Sequence, residues 1–99
     1  MVRLARITVA LPGKMFELMA ALKETAEAVK AAAGVEVMVF ASMGAQVGEF
    51  ISVTNYDSLA DFEEKGSKVL ASPAYQAAIK KFEGLAVPGA SRDHLLRQV

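Results

Sequence analysis

The chain has 99 residues, of which 54% are hydrophobic and 22% charged, and its eleven Lys and Arg residues balance its eleven Asp and Glu residues. The length fits a single domain over residues 1–99, and the apolar content excludes a disordered chain. The zero net charge argues against a general nucleic-acid-binding protein, because such proteins carry a basic excess.

The amino-acid composition removes several chemistries. The chain has no cysteine and one histidine, which excludes disulfides, thiolate nucleophiles and an imidazole metal cage within one subunit. We therefore expect neither a metal site nor a cofactor. The N-terminal apolar run is broken at Arg3 and Arg6, and no run reaches the length of a membrane span. These features predict a soluble, cytoplasmic protein with no membrane or nucleic-acid partner.

The first half of the chain predicts a strand, a helix and a strand. Residues 2–11 form the first predicted strand, which a Pro-Gly pair ends. Apolar residues then recur at steps of three and four, which predicts a helix that ends at Gly34. Residues 35–41, Val-Glu-Val-Met-Val-Phe-Ala, predict the second strand. Only Glu36 in this strand is polar, so both of its faces favour burial.

The second half repeats this plan after a short connection. Residues 47–54 predict a third strand that forms a hairpin with the second. Ser58 is a predicted helix N-cap, and the Ser-Pro pair at 72–73 interrupts that helix and starts another piece. Residues 93–99 predict the closing strand.

The order β-α-β, hairpin, β-α-β is the split βαβ arrangement. We predict an α+β, ferredoxin-like βαββαβ domain with a four-stranded antiparallel sheet and its helices on one face. The helices can cover only one face of this sheet. A second copy of the chain is the expected cover of the other face, with or without a small ligand between the copies.

Side-chain alternation along each strand assigns residues to the two faces of the sheet. We expect the branched aliphatic residues to face the helices, namely Ile7, Val9, Val35, Val37, Val39, Ile51 and Val53. The opposite face should then hold Leu4, Arg6, Thr8, Met38, Phe40, Phe50, Ser52 and Thr54, with His94 or Leu95 from the last strand. Left in water, the apolar centre of that face would be an interaction patch.

Three short features carry a family resemblance. They are the hairpin from Gly44 to Gly48, the Tyr56-Asp57-Ser58-Leu59 entry to the second helix, and the Ser72-Pro73-Ala74-Tyr75 break. With the layout of the whole chain, they resemble the dimeric α/β-barrel group of ferredoxin-like domains, which includes antibiotic-biosynthesis monooxygenase-like and NIPSNAP-like domains. The resemblance implies a homodimer packed sheet against sheet, with a pocket between the sheets or between sheet and helices.

The same group includes cofactor-independent oxygenases, haem-degrading enzymes, small-molecule isomerases and proteins with no known activity. This chain has no tryptophan, so the Asn-Trp-His arrangement of the haem-degrading relatives is incomplete. No residue matches a catalytic motif of the group. The resemblance therefore assigns no active-site residue and leaves open whether the chain is an enzyme.

Residue chemistry supplies the candidate site. Histidine is the residue type best suited to acid–base catalysis, and an arginine could bind a carboxylate bidentately, so His94 and Arg6 are the candidate catalytic residues. Each has a structural alternative. His94 could be an exposed or edge-strand residue, and Arg6 could pair with Glu36 or Glu49 at the dimer interface or extend its charged group to the solvent at the rim. The candidate ligand-binding residues are Arg6, Thr8, Met38, Phe40, Phe50 and Ser52.

Two functions fit these residues. The first is a homodimeric small-molecule-binding protein, or a cofactor-independent oxygenase-like enzyme, that acts on a small hydrophobic or aromatic compound. The second is a non-catalytic structural or interaction dimer, because apolar packing explains every prominent residue without a substrate. Both predict self-association through the sheet face, and they differ in whether a cavity remains.

Overall fold

The computed structural model describes residues 1–44 and 47–99. Within these residues, four strands form one antiparallel sheet in the order β2-β3-β1-β4. The elements are β1 Val2–Val9, α1 Met15–Ala33, β2 Val37–Ala41, β3 Glu49–Tyr56, α2 Leu59–Leu70, α3 Pro73–Lys80 and β4 Arg92–Arg97. The predicted α+β, ferredoxin-like fold is confirmed. In the same two segments, no helix has the length and hydropathy needed to cross a bilayer.

The helix ends follow the local sequence signals. Ser58 Oγ accepts a hydrogen bond from the backbone N–H of Asp61 at 3.1 Å, which caps α2. Ser72 Oγ accepts one from the N–H of Tyr75 at 3.3 Å and caps α3. Gly34 follows α1 with a left-handed φ of 69°. The three helix boundaries predicted at these residues are confirmed.

The hairpin between β2 and β3 is confirmed by their antiparallel pairing. Next to the turn, the backbone N–H of Ser42 donates to the carbonyl oxygen of Glu49 at 2.9 Å. The predicted connection from Gly44 to Gly48 includes Ala45 and Gln46, which lie outside the described residues.

The core lies between the sheet and the helices in two clusters. The larger cluster contains Val2, Ala28, Val29, Val35, Tyr56, Val69 and Tyr75. The smaller cluster contains Ala10, Leu18, Leu22 and Phe50. Partly buried Val37 packs against the first cluster and Val39 against the second, so the predicted helix-facing side of the second strand is confirmed.

The predicted faces of β1 and β3 were wrong. Six residues expected on the uncovered face point to the helices instead: Leu4, Arg6, Thr8, Phe50, Ser52 and Thr54. By alternation, Ile7, Val9, Ile51 and Val53 lie on the other side of the sheet. Because both faces carry many apolar residues, periodicity cannot decide which one meets the helices. The inward-facing polar residues include Arg6 and Ser52, which border a cavity between the sheet and the helices.

The side of the sheet away from the helices is here called the outer face, and two cross-strand rows form its centre. One row is Met38, Val53, Ala5 and His94, and the other is Phe40, Ile51, Ile7 and Arg92. Met38 is 44% exposed and Phe40 is 51% exposed. The predicted placement of these two residues is confirmed, and the apolar row around Ile51 is larger than the sequence predicted.

A substitution at Gly66 tests whether this position of α2 lies in a helix with free space beside it. It lies inside α2, and a Cβ atom added there would have no neighbour within 4 Å. We expect Gly66→Ala to raise the free energy of unfolding by about 1 kcal/mol, because alanine loses less backbone entropy in a helix. Gly34→Ala is the matched opposite case, since its φ of 69° disfavours a side chain. Urea unfolding at one fixed protein concentration should give shifts of opposite sign, and shifts of the same sign would contradict this account of α2.

Candidate ligand-binding cavity

A cavity of about 210 Å³ lies between the sheet and the helices, and we call it the sheet–helix cavity. The sheet contributes Leu4, Arg6, Val37, Ser52, Thr54 and Tyr56. The first helix contributes Leu22, Thr25, Ala26 and Val29. The second and third helices and the turn after them contribute Phe62, Gly66, Val69, Leu70, Tyr75, Ile79 and Phe82. The walls are mainly apolar, with the polar groups concentrated on the sheet side.

Small residues on two helices keep this space open. Ala26 on α1 and Gly66 on α2 both border the cavity, and neither has a side chain long enough to fill it. The break between α2 and α3 at Ser72 then brings Tyr75 to the same cavity wall. The alanine-rich sequence of α1 and the Ser-Pro break therefore both contribute to an unfilled volume between the sheet and the helices.

Arg6, which lines the cavity from the sheet side, forms an ion pair with Asp93. Arg6 Nε donates to Asp93 Oδ1 at 2.7 Å, and Arg6 Nη2 donates to Asp93 Oδ2 at 2.8 Å. The hydrogen bond from Arg6 is the main cause that lowers the pKa of Asp93, and the bond to Asp93 likewise raises the pKa of Arg6. Both groups are therefore charged at neutral pH, and together they carry no net charge.

Two tyrosines also line the cavity, and the hydroxyl group of one of them is bound to Arg6. Arg6 Nη1 donates to Tyr75 Oη at 3.4 Å. Tyr56 packs edge-on against Phe62, with ring centroids 5.1 Å apart and planes at 81°. Burial is the main cause that raises the pKa of Tyr56, and the negative charge of Asp61 acts in the same direction. The Tyr56 phenol is therefore protonated at neutral pH.

The structure divides the predicted ligand-binding residues among three places. Arg6 and Ser52 line the sheet–helix cavity. Thr8 and Phe50 point to the helix side but are buried in the core outside the cavity wall. The remaining two, Met38 and Phe40, lie on the outer face. Two of the six residues therefore come together at one cavity.

The two candidate catalytic residues lie on opposite sides of the sheet. His94 is exposed and pairs in register with Ala5 on the outer face, whereas Arg6 points to the helices. They cannot act on one bound molecule within a subunit. Arg6 also pairs with Asp93 and not with Glu36 or Glu49, the two partners that the sequence suggested. Glu36 Oε1 instead lies 2.6 Å from Lys30 Nζ.

Sequence reasoning missed Asp93, Thr25, Ala26 and Gly66. Asp93 faces Arg6 across the β1–β4 pairing, so its role follows from strand register, which a single sequence does not specify. Ala26 and Gly66 contribute to the cavity because neither has a side chain long enough to fill it, and no sequence motif predicts an unfilled volume. Within residues 1–44 and 47–99, no group of three or more His, Asp or Glu side chains could hold a metal ion.

Comparison with known proteins identifies the family of this chain and solved structures with the same fold. The sequence model of the NIPSNAP family matches residues 6–97. A solved structure of an uncharacterized NIPSNAP domain protein from Burkholderia xenovorans has a TM-score of 0.84 and 13% identity, covering 100% of this chain and 95% of that one. No curated protein matches the chain.

Two further solved structures extend the similarity beyond NIPSNAP proteins. A putative antibiotic biosynthesis monooxygenase from Deinococcus radiodurans has a TM-score of 0.75 and 20% identity, covering 100% of this chain and 93% of that one. SnoaB, a cofactor-independent oxygenase from Streptomyces nogalater, has a TM-score of 0.74 and 13% identity, covering 98% of this chain and 91% of that one. At these identities the similarity shows a shared fold.

Proposed function

The chain belongs to the NIPSNAP family, and we propose that it is a small-molecule-binding protein whose ligand occupies the sheet–helix cavity. The observation that carries this proposal is the cavity itself, with mainly apolar walls and a few polar groups, most of them on the sheet side. Small-molecule sites commonly have this form, because apolar walls supply affinity and a few polar groups orient the ligand.

The cavity size suggests the ligand class. An apolar protein cavity of about 150 Å³ can hold benzene. The volume of about 210 Å³ found here leaves room for one ring and a short substituent. Tyr56, Phe62 and Phe82 offer aromatic surface to such a ring. We therefore expect a small hydrophobic or aromatic ligand.

The bound molecule could also be the substrate of an oxygenase-like reaction. The similarity to SnoaB and to the Deinococcus radiodurans structure supports this more specific proposal. In that reaction the cavity would supply shape, exclusion of water and hydrogen-bond donors, while the substrate would supply the electrons that reduce oxygen. His94 faces away from the cavity and Asp93 is bound to Arg6, so neither is placed as a general base. Ligand binding is therefore the function that the geometry supports best.

We also propose that two copies associate through the outer face. One of its two rows contains Phe40, Ile51 and Ile7, which are neighbours across three strands and form an apolar surface. A patch of this kind favours burial against a partner. A second copy of the same face gives a closed, two-fold symmetric contact.

Filling the cavity tests the proposed binding function. Ala26→Phe places a ring in the cavity, and Ala31→Phe makes the same change on the exposed side of the same helix. With acetophenone as the probe, we expect Ala26→Phe to lower affinity by more than about tenfold, because the new ring occupies the ligand volume. Ala31→Phe should bind as the unchanged protein does. Titrations followed by NMR chemical shifts provide the measurement, with circular dichroism to confirm folding, and equal affinities in the two variants would contradict the proposal.

A further inference from the structure

We infer that Asp93 makes the sheet–helix cavity selective for neutral ligands that carry a hydrogen-bond acceptor, with a carbonyl group as the fitting class. This inference rests on the proposed function, because it names the ligand class of the same cavity. Three observations carry it: the bidentate pairing of Arg6, the free hydrogen of the Tyr75 phenol, and the neutral chemistry of the other walls.

The first observation concerns charge. Arg6 is the one charged side chain among the described residues that line the cavity. Both oxygens of Asp93 are bound to its guanidinium group, at 2.7 Å and 2.8 Å. A bidentate arginine is the usual recognition element for a carboxylate ligand, and here that position is taken by a side chain of the protein. The side chains of this pair are 40% and 47% exposed, so an anionic ligand would either have to displace the Asp93 carboxylate or lie beside it and be repelled by its charge.

The second observation concerns hydrogen-bond direction. Arg6 uses its third nitrogen, Nη1, to donate to Tyr75 Oη at 3.4 Å. Because the phenol oxygen is the acceptor in this bond, its own hydrogen remains available. Among the described residues Tyr75 Oη donates to no other group, and Tyr75 is only 8% exposed. A donor polarised by a neighbouring cation favours an acceptor oxygen on the ligand.

The third observation concerns the remaining polar walls. Ser52 and Thr54 contribute neutral hydroxyl groups from β3. Thr25 contributes another from α1, but its hydroxyl already donates to the carbonyl oxygen of Ala21 at 2.8 Å. None of these groups offers a positive charge to replace that of Arg6. Removing the Asp93 carboxylate should therefore leave the Arg6 guanidinium without its partner and favour an anionic ligand over a neutral one.

Three probes of similar size separate charge from hydrogen bonding. Acetophenone is neutral with an acceptor, benzoate is anionic, and isopropylbenzene has neither a charge nor an acceptor. We expect the unchanged protein at neutral pH to bind acceptor-bearing acetophenone tightest of the three. Asp93→Asn keeps the shape of the side chain but removes its charge. In this variant the affinity for benzoate relative to that for acetophenone should rise about tenfold. An unchanged ratio in Asp93→Asn, or a preference for benzoate in the unchanged protein, would overturn the inference.

Tyr75→Phe gives an independent test if Asp93→Asn does not fold. Loss of the phenol donor should lower the affinity for acetophenone relative to isopropylbenzene by about fivefold or more. An equal loss for both probes would mean that Tyr75 acts by packing, and would overturn the hydrogen-bond part of the inference. A different result would contradict the proposed function itself. In that case none of the three probes would give saturable chemical-shift changes in the cavity residues of the unchanged protein, and the inference would be overturned as well.

Discussion

Replacing Ile51 with lysine should prevent the proposed association of two copies through the outer face and leave a monomer at micromolar concentration. Ile51 lies at the centre of the outer face, paired in register with Ile7 on one side and Phe40 on the other. A lysine there would place an unpaired charge in the contact, and two-fold symmetry would place one on each subunit. Leaving such a charge buried costs about 3–5 kcal/mol, which raises the dimer Kd by more than about 100-fold.

Light scattering or sedimentation measures this change directly. Ala77→Lys is the matched control, because it adds the same charge at an exposed position of α3. We expect this control to remain dimeric. An unchanged protein that is monomeric at micromolar concentration, or an Ile51→Lys protein that stays dimeric, would contradict an interface at the outer face.

Leu18→Ala should cause the largest loss of stability within a single subunit. Leu18 is 0% exposed and packs in the smaller core cluster with Leu22 and Phe50. Truncation to alanine removes buried methyl groups and leaves a cavity, which costs about 2.7–5 kcal/mol for comparable leucines. Urea unfolding at a fixed protein concentration measures the loss.

Leu70→Ala is the control for this change. Leu70 ends α2 and is 68% exposed, so the same truncation should lower the free energy of unfolding by less than about 1 kcal/mol. Similar losses in the two variants would mean that Leu18 does not anchor the contact between α1 and the sheet.

Local signals account for most of the fold that the sequence predicted. Ser58 and Ser72 cap helices, and Gly34 ends one, because each acts on backbone groups within a few residues. The hairpin and the sheet order then follow from the order of the elements and the handedness of their connections. These parts need no knowledge of distant contacts.

The faces of β1 and β3, and with them the candidate site, depended on information that is not local. A one-residue change of register exchanges the two faces of a strand, and both faces here are rich in apolar residues. The structure turns Arg6 toward the helices, where Asp93 of β4 compensates its charge. The sequence could not predict this pair, because the two residues are 87 positions apart.

We expect a small aromatic molecule to bind in the sheet–helix cavity and not on the outer face. The most direct measurement is an acetophenone titration of methyl-labelled protein by NMR. We predict saturable shifts for the methyl groups of Leu22 and Val69, which line the cavity, and none for those of Ile7 and Val53 on the outer face. Saturable shifts confined to Ile7 and Val53, or no saturable shift at all, would contradict this expectation.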